Sequence, residues 1–442
     1  KSPIIKELGD LFLFSEGRLT KQKIIETVGE DIYKNLKDYG FIVEVKSSKN
    51  PDVMKTTMRF RKGYNTYIDP TAKWSGTGST NHSKGMAMIY SLLPSTVKKD
   101  RRIECENKLK EELKKLNQPA FRAKQLFGWM HNKLSSSYDE MTNLPKDLRQ
   151  LLKENYPLTV LIEADRLVSK KDGTTKFLFR LKDNAVIESV LMKYRHGYSV
   201  CISSQVGCSM GCTFCASTIG GKQRDLLASE MLDQVYRISV MTKERISNVV
   251  VMGTGEPLDN YDNLVRFIRI LTDENGLNIS ARNITVSTCG IPVKIRQLAE
   301  EGLPITLALS LHSPNDEIRK KLMPIARRYN LSDVMDAFIY YYEKTGRRLT
   351  FEYSLIQGVN DEEEHAEELS GLLRGYNCHV NLIPVNPIKE RNYEKSDSYR
   401  IQKFKNILEK NRINVTIRRE MGSDIDAACG QLRKSYLDRC SK

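Results

Sequence analysis

The sequence predicts an α/β fold built as an incomplete (β/α) barrel. Between about Tyr198 and Arg418, short β-branched runs alternate with amphipathic stretches of helical length. Most of the short runs are continuously apolar, as parallel strands buried on both faces are. The recognisable motifs fall at strand ends or in the loops that follow, where barrel enzymes place their chemistry.

In chain order the strand signals are Tyr198–Ser203, Asn248–Met252, Asn283–Ser287, Ile305–Leu311, Thr350–Leu355, His379–Ile383 and Asn414–Arg418. The helix signals between them are Ser229–Met241, Asn260–Leu271, Pro292–Glu301, Leu331–Thr345, Glu362–Leu373 and Ser398–Lys410. Several of these open with Ser, Asn or a charged first turn, the residues that satisfy free amides at a helix start.

Upstream, Arg101 to Gly197 reads as a smaller α+β piece, helical around Asn117–Leu126 and alternating like a short antiparallel sheet over Gly173–Met192. Arg122, Lys124 and Trp129 are candidate RNA contacts there, against the plainer reading of a solvated helix face with Trp129 packed inside. The first 98 residues stand apart. Lys21–Val28 and Asp31–Tyr39 read as two short helices around Gly29, followed by a strand at Phe41–Lys46, a winged-helix-like pattern. The Gly- and Ser-rich run Trp74–Lys84 reads as a loop or linker. The expected organisation is therefore 1–98, an unassigned N-terminal region; 99–197, an accessory domain; and 198–442, the barrel.

At 442 residues and 40% apolar, the chain is long enough for more than one core. Its net charge of +15 favours polyanionic partners. The charge is spread, since the first 100 residues hold 17 basic against 11 acidic residues. Nine cysteines without paired spacing argue for a reducing compartment, and a cytoplasmic enzyme is expected. No segment reads as a signal peptide or membrane span. The sequence opens at Lys1 without a methionine, which leaves room for residues before it.

The sharpest motif is Cys208-Ser-Met-Gly-Cys212-Thr-Phe-Cys215, three thiols at CxxxCxxC spacing. A structural zinc site closes with four ligands and would need a partner pair, which the sequence does not supply. Three thiolates instead suit a [4Fe–4S] cluster with one iron open to a cofactor or substrate.

With Phe214 before the last cysteine, the run resembles the radical S-adenosylmethionine (radical SAM) superfamily. Further motifs narrow the resemblance: Cys201–Cys208, Met252-Gly-Thr-Gly-Glu-Pro257, Val286–Gly290, Ser310-Leu-His-Ser-Pro-Asn315, Asn381–Pro387 and Asp424–Leu432. Together they are similar to the adenine-C2 methyltransferases of 23S rRNA and tRNA over about residues 101–440. The resemblance implies a six-unit partial barrel, an accessory RNA-binding domain before it, and two molecules of S-adenosylmethionine per turnover. Carried over by motif, Cys208, Cys212 and Cys215 hold the cluster, and Gly255, Glu256, Ser287, Ser310, Leu311, His312 and Asn386 contact S-adenosylmethionine. The Gly253–Glu256 turn is expected to bring backbone close to the cofactor.

Carbon 2 of adenine is electron-poor and does not attack a sulfonium methyl directly. The resemblance implies that Cys429 takes the methyl first, that a radical formed on it adds to the base, and that Cys201 releases the product by forming a disulfide with Cys429. Glu188 matches the proton acceptor, although an isolated Glu in such a strand otherwise reads as solvent-facing. A flavodoxin-type electron donor and a monomer are expected. Two alternatives stay open: adenine-C8 methylation of rRNA conferring antibiotic resistance, which shares these cysteines, and a nucleic-acid-binding regulator whose cluster senses redox state.

Overall fold

The computed structural model describes residues 8, 18–38, 41–44, 53–56, 104–387, 391–422 and 424–425. Trp74–Lys84, Cys429 and Cys440 lie outside them. The chain divides into two compact units, Lys1–Arg101 and Arg102–Lys442.

In the N-terminal unit, β1 (Arg18–Thr20) leads into α1 (Lys21–Val28) and α2 (Glu30–Asp38), followed by β2 (Ile42–Glu44) and β3 (Val53–Thr56). Thr20 caps α1 by accepting from the Lys23 amide at 3.2 Å. Gly29 closes it at φ 84°, a conformation that suits glycine. The strands pair antiparallel in the order β1-β3-β2. Ile24, Val28, Ile32, Leu36, Phe41, Ile42 and Met54 form the core of this unit. The two-helix-then-strand pattern read from the sequence is present, with the strand at Ile42–Glu44.

The second unit opens with α3 (Glu104–Lys115), α4 (Phe121–His131) and α5 (Lys146–Asn155), packed around Leu113, Leu126, Met141 and Leu148. Trp129 lies against this cluster, donates to Asn143 and carries Lys133 over its ring at 3.5 Å.

Four antiparallel strands come next: β4 (Ile162–Val168), β5 (Thr175–Arg180), β6 (Val186–Tyr194) and β7 (Gly197–Cys201). β8 (Gln205–Val206) and β9 (Arg224–Asp225) form a small separate pair. The chain then alternates α6 (Ala228–Thr242), β10 (Ile246–Val251), α7 (Tyr261–Leu271), β11 (Ile284–Thr288), α8 (Pro292–Ala299), β12 (Thr306–Ser310), α9 (Asp316–Leu322), α10 (Leu331–Thr345), β13 (Leu349–Leu355), α11 (Glu363–Leu373), β14 (Cys378–Pro384), α12 (Ser398–Lys410) and β15 (Asn414–Ile417).

β7 and β10 to β15 pair in parallel, and one ten-stranded sheet runs from β15 through β7 to β4. The barrel strands and the accessory hairpins thus share one hydrogen-bonded surface. Helix ends follow the local rules: Asn330 and Asp397 cap α10 and α12, Pro292 starts α8, and Gly346 ends α10 at φ 64°. Val249, Val286, Leu309, Phe351, Val380 and the inner helix faces form the main core. No helix among the described residues is long and apolar enough to cross a membrane.

Candidate active site

Because β7 and β10 to β15 run in parallel, their C-terminal ends share one edge. That edge gathers Cys201, the Met252–Pro257 turn, Thr288-Cys289, Ser310–His312 and the run leading to Asn386. A cavity of about 580 Å³ opens there, lined by Val190, Met192, Cys201, Phe214, Cys215 and Asn386 among others.

Cys208, Cys212 and Cys215 follow β7 on one loop. Cys208 is buried and the other two are half-buried. Two of them are driven toward the protonated thiol: burial first, then the neighbouring cysteines and Glu256, raise Cys212, and burial pushes Cys208 up to about 12. Occupation by a metal centre therefore releases protons. Among the described residues no three His, Cys, Asp or Glu side chains converge as they would on one ion. Three thiols on the loop without a fourth suit a four-iron cluster, whose thiolates each take a different iron, better than a closed four-ligand zinc site.

The sequence offered no fourth cysteine nearby, but the fold brings one. Cys289 packs in the same apolar cluster as Cys212. Its thiol is raised well above the ordinary range by burial and by Glu256, its hydrogen-bond partner, so it remains a thiol.

Glu256 is 3% exposed, and its carboxylate accepts from the Cys289 amide at 2.8 Å and the Leu258 amide at 3.1 Å. Burial raises its pKa against those hydrogen bonds. The glycines of this turn have a packing reason of their own. A Cβ on Gly253 would stand 2.7 Å from the Ile202 carbonyl oxygen, and one on Gly255 2.6 Å from Gln205 Cβ. The close approach they permit includes one to the Ile202–Gln205 chain.

Ser287 and Ser310 meet hydroxyl to hydroxyl at 3.0 Å across β11 and β12. His312 adopts φ 55°, and its Nδ1 accepts from the Ser354 amide at 2.9 Å, which leaves the ring proton on Nε2. Burial, aided by Arg319, pushes its pKa down to about 3, so the ring is neutral. The Phe214 ring meets it edge-on at 4.9 Å. Leu311 is fully buried, with its amide donating to Glu352 and its carbonyl accepting from Arg319.

Glu188 is buried at 4% exposure and is not solvent-facing. Its Oε2 stands 3.3 Å from Lys176 Nζ, itself wholly buried. In register, Cys201 of β7 faces Val190 of β6, and Val190 faces Lys176 of β5. Glu188, Val190 and Met192 share one face by the period of two, and Val190 and Met192 line the cavity. The ion pair thus lies on the side of the sheet where Cys201 stands.

Met421 packs beside Cys201, Val190 and Met192. The Ser169 hydroxyl and the Lys170 amide donate to Asp424, and the Gly422 amide donates to Asp172 at 3.0 Å. Gly422 and Asp424 are therefore pinned to the β4–β5 turn, while Met421 packs against Cys201.

Sequence reasoning missed Lys176, Gln205, Gln234 and Arg319. Gln205 accepts from the Glu256 amide and donates to Asp225 and Asp259, and Gln234 clasps the Ser203 backbone in both directions. Gln205 lies inside the quoted Cys201–Cys208 motif. The other three carry no local signal.

The family described as the Radical SAM superfamily matches residues 202–369, and the one described as the ribosomal RNA large subunit methyltransferase N-terminal domain matches 105–157. A probable dual-specificity RNA methyltransferase RlmN of Lachnoclostridium phytofermentans is 65% identical over 331 residues, covering 75% of this chain and 93% of that protein. The protein of the same description from Clostridium tetani is 53% identical over 357 residues, covering 81% and 99%. A crystal structure of a radical SAM methyltransferase from Sphaerobacter thermophilus superposes with TM-score 0.71 at 45% identity, over 74% of this chain and 96% of that one.

Proposed function

Since this chain belongs to the dual-specificity RNA methyltransferase family of the radical SAM superfamily, we propose that it methylates carbon 2 of adenine in 23S rRNA and tRNA. The observation that carries the reading is the convergence of the three-cysteine loop, Cys201, the Lys176–Glu188 pair and the segment leading to Cys429 on one edge of one sheet.

Bound there, a [4Fe–4S] cluster and S-adenosylmethionine supply an electron and a radical able to take hydrogen from a methyl group. Cys208, Cys212 and Cys215 hold the cluster. Gly255, Glu256, Ser287, Ser310, His312 and Asn386 orient the cofactor, the neutral His312 offering its Nε2 proton as a donor. Leu311 fixes the backbone course between them. Cys429 carries the methyl group and then the bond to the base.

Glu188 accepts the proton from carbon 2, with Lys176 as its countercharge: the C–H bond breaks and an O–H bond forms. Cys201, as thiolate, attacks the Cys429 sulfur: the S–S bond forms as the S–C bond to the product breaks, and the electron pair of that bond takes up a proton at the new methyl carbon. An external thiol then reduces the disulfide.

Residues 99–197 serve as the accessory RNA-binding module before the barrel at 198–442, and residues 1–98 as a separate winged-helix-like module. The enzyme acts as a cytoplasmic monomer that receives its electron from a flavodoxin-type donor. Anaerobic reconstitution with S-adenosylmethionine, reductant and unmodified 23S rRNA fragment or tRNA, followed by nucleoside mass spectrometry, tests the reading. 2-Methyladenosine with 5′-deoxyadenosine is the expected result; 8-methyladenosine would reassign the carbon, and an unmodified RNA would overturn the substrate.

A further inference from the structure

Among the described residues, Arg319 is a buried cation with no anion in ion-pair contact. It sits in α9 with no solvent exposure. A guanidinium in such a place is costly unless its donors and charge are satisfied. Its Nη2 donates to the Cys289 carbonyl at 2.6 Å and its Nε to the Leu311 carbonyl at 3.3 Å. Its Nη1 finds no hydrogen-bond partner among the described residues.

The position of α9 says what that free donor serves. The Thr213 amide, inside the cysteine loop, donates at 2.9 Å to the carbonyl of Leu322, the last residue of α9. Cys212 packs with Leu322, Met323 and Cys289. A Cβ on Gly211 would touch Pro324 at 3.3 Å, so the loop and the end of α9 are in close contact. Cys289, Asp316 and Cys212 all lie within electrostatic reach of the guanidinium. Three thiolates beside the buried Glu256 make this the negative pole of the site.

We infer that Arg319 is a positioning residue that donates its Nη1–H to a sulfur at the Cys212 corner of the cluster and stabilises the reduced state. The inference rests on the cluster reading above. One electron from an external low-potential donor adds one negative charge to a poorly solvated group. A fixed neighbouring cation favours that more negative state, and so raises the reduction potential.

The test uses the full chain, reconstituted anaerobically and reduced with dithionite, with arginine labelled by 15N in the guanidinium. Pulsed electron paramagnetic resonance of the parent should show a 15N nucleus weakly coupled to the reduced cluster, and Arg319→Lys should lose it. A redox titration should place the midpoint potential of Arg319→Met below that of the parent at equal iron content, with Arg319→Lys between. A parent cluster without 15N coupling, or an unchanged potential in Arg319→Met, overturns the inference. Should Arg319→Met fail to accumulate, the parent's 15N signal decides alone. A parent chain that binds no cluster overturns the cluster reading itself.

Discussion

Lys176 Nζ and Glu188 Oε2 stand 3.3 Å apart between β5 and β6, with side-chain exposures of 0% and 5%. A buried pair of this kind is weak evidence for stability, because desolvation offsets much of the Coulomb attraction. Its removal separates structure from function. Lys176→Met alone removes the cation beside a buried carboxylate and should destabilise the unit by about 3–5 kcal/mol, whereas Lys176→Met with Glu188→Leu should stay near parent stability. Urea unfolding checks both, and the double variant should fold yet produce no 2-methyladenosine.

Cys201 is 6% exposed and packs beside Met421. Cys201→Ala should trap a covalent RNA–protein adduct visible on a denaturing gel, while Cys429→Ala should form neither adduct nor product. Normal turnover by Cys201→Ala would remove that thiol from the mechanism.

Gly253 has no room for a side chain, since its Cβ would stand 2.7 Å from the Ile202 oxygen and 2.9 Å from the Ser203 nitrogen, both backbone. Gly253→Ala should lower stability by about 1–3 kcal/mol through overpacking. Thermal unfolding measures it, and Gly128→Ala, whose Cβ meets nothing within 4 Å, is the control.

Asp172 and Asp424 latch the segment before Cys429 to the β4–β5 turn. Burial pushes the Asp172 carboxyl up, but the amides of Gly422 and Thr174 outweigh it and hold it at about 2. The latch is therefore complete above the ordinary carboxylate range and is lost as pH falls through about 2. Asp424→Ala should slow methylation by roughly ten- to a hundredfold, the scale of a misplaced reacting group, with an unchanged melting temperature.

Half-buried His131 and buried His312 are both neutral, pushed down by desolvation to about 4 and about 3. Each binds its proton more readily when unfolded. Their contribution is present above about pH 6.5 and is lost as pH falls toward those values. Urea unfolding at pH 7, 6 and 5 should show stability dropping by about 1 kcal/mol per unit per histidine over the lower part of that range, and His131→Gln should flatten the slope.

Much of the architecture was legible in the chain. The seven strand signals and six helix signals of the barrel coincide with β7, β10–β15 and their helices to within a few residues. Continuous apolar runs and amphipathic stretches differ in period, and period is a local property. The CxxxCxxC loop was equally local, because the missing fourth ligand is visible in the spacing alone.

The rest of the site depends on distant pairings. Glu188 read as solvent-facing because alternation does not say which face of a strand is covered. Only the register of β5, β6 and β7 brings Lys176 to it in line with Cys201. Ser169 reaches Asp424, 255 residues away, and Arg319 reaches Cys289 across 30. The sequence by itself determined the order of the strands and helices and the cluster-binding loop, since both are written in neighbouring residues. Which charges are buried, which thiol stays a thiol and which glycine has no room were decided by the tertiary structure, because burial and electrostatics belong to the packed surroundings and not to the residue.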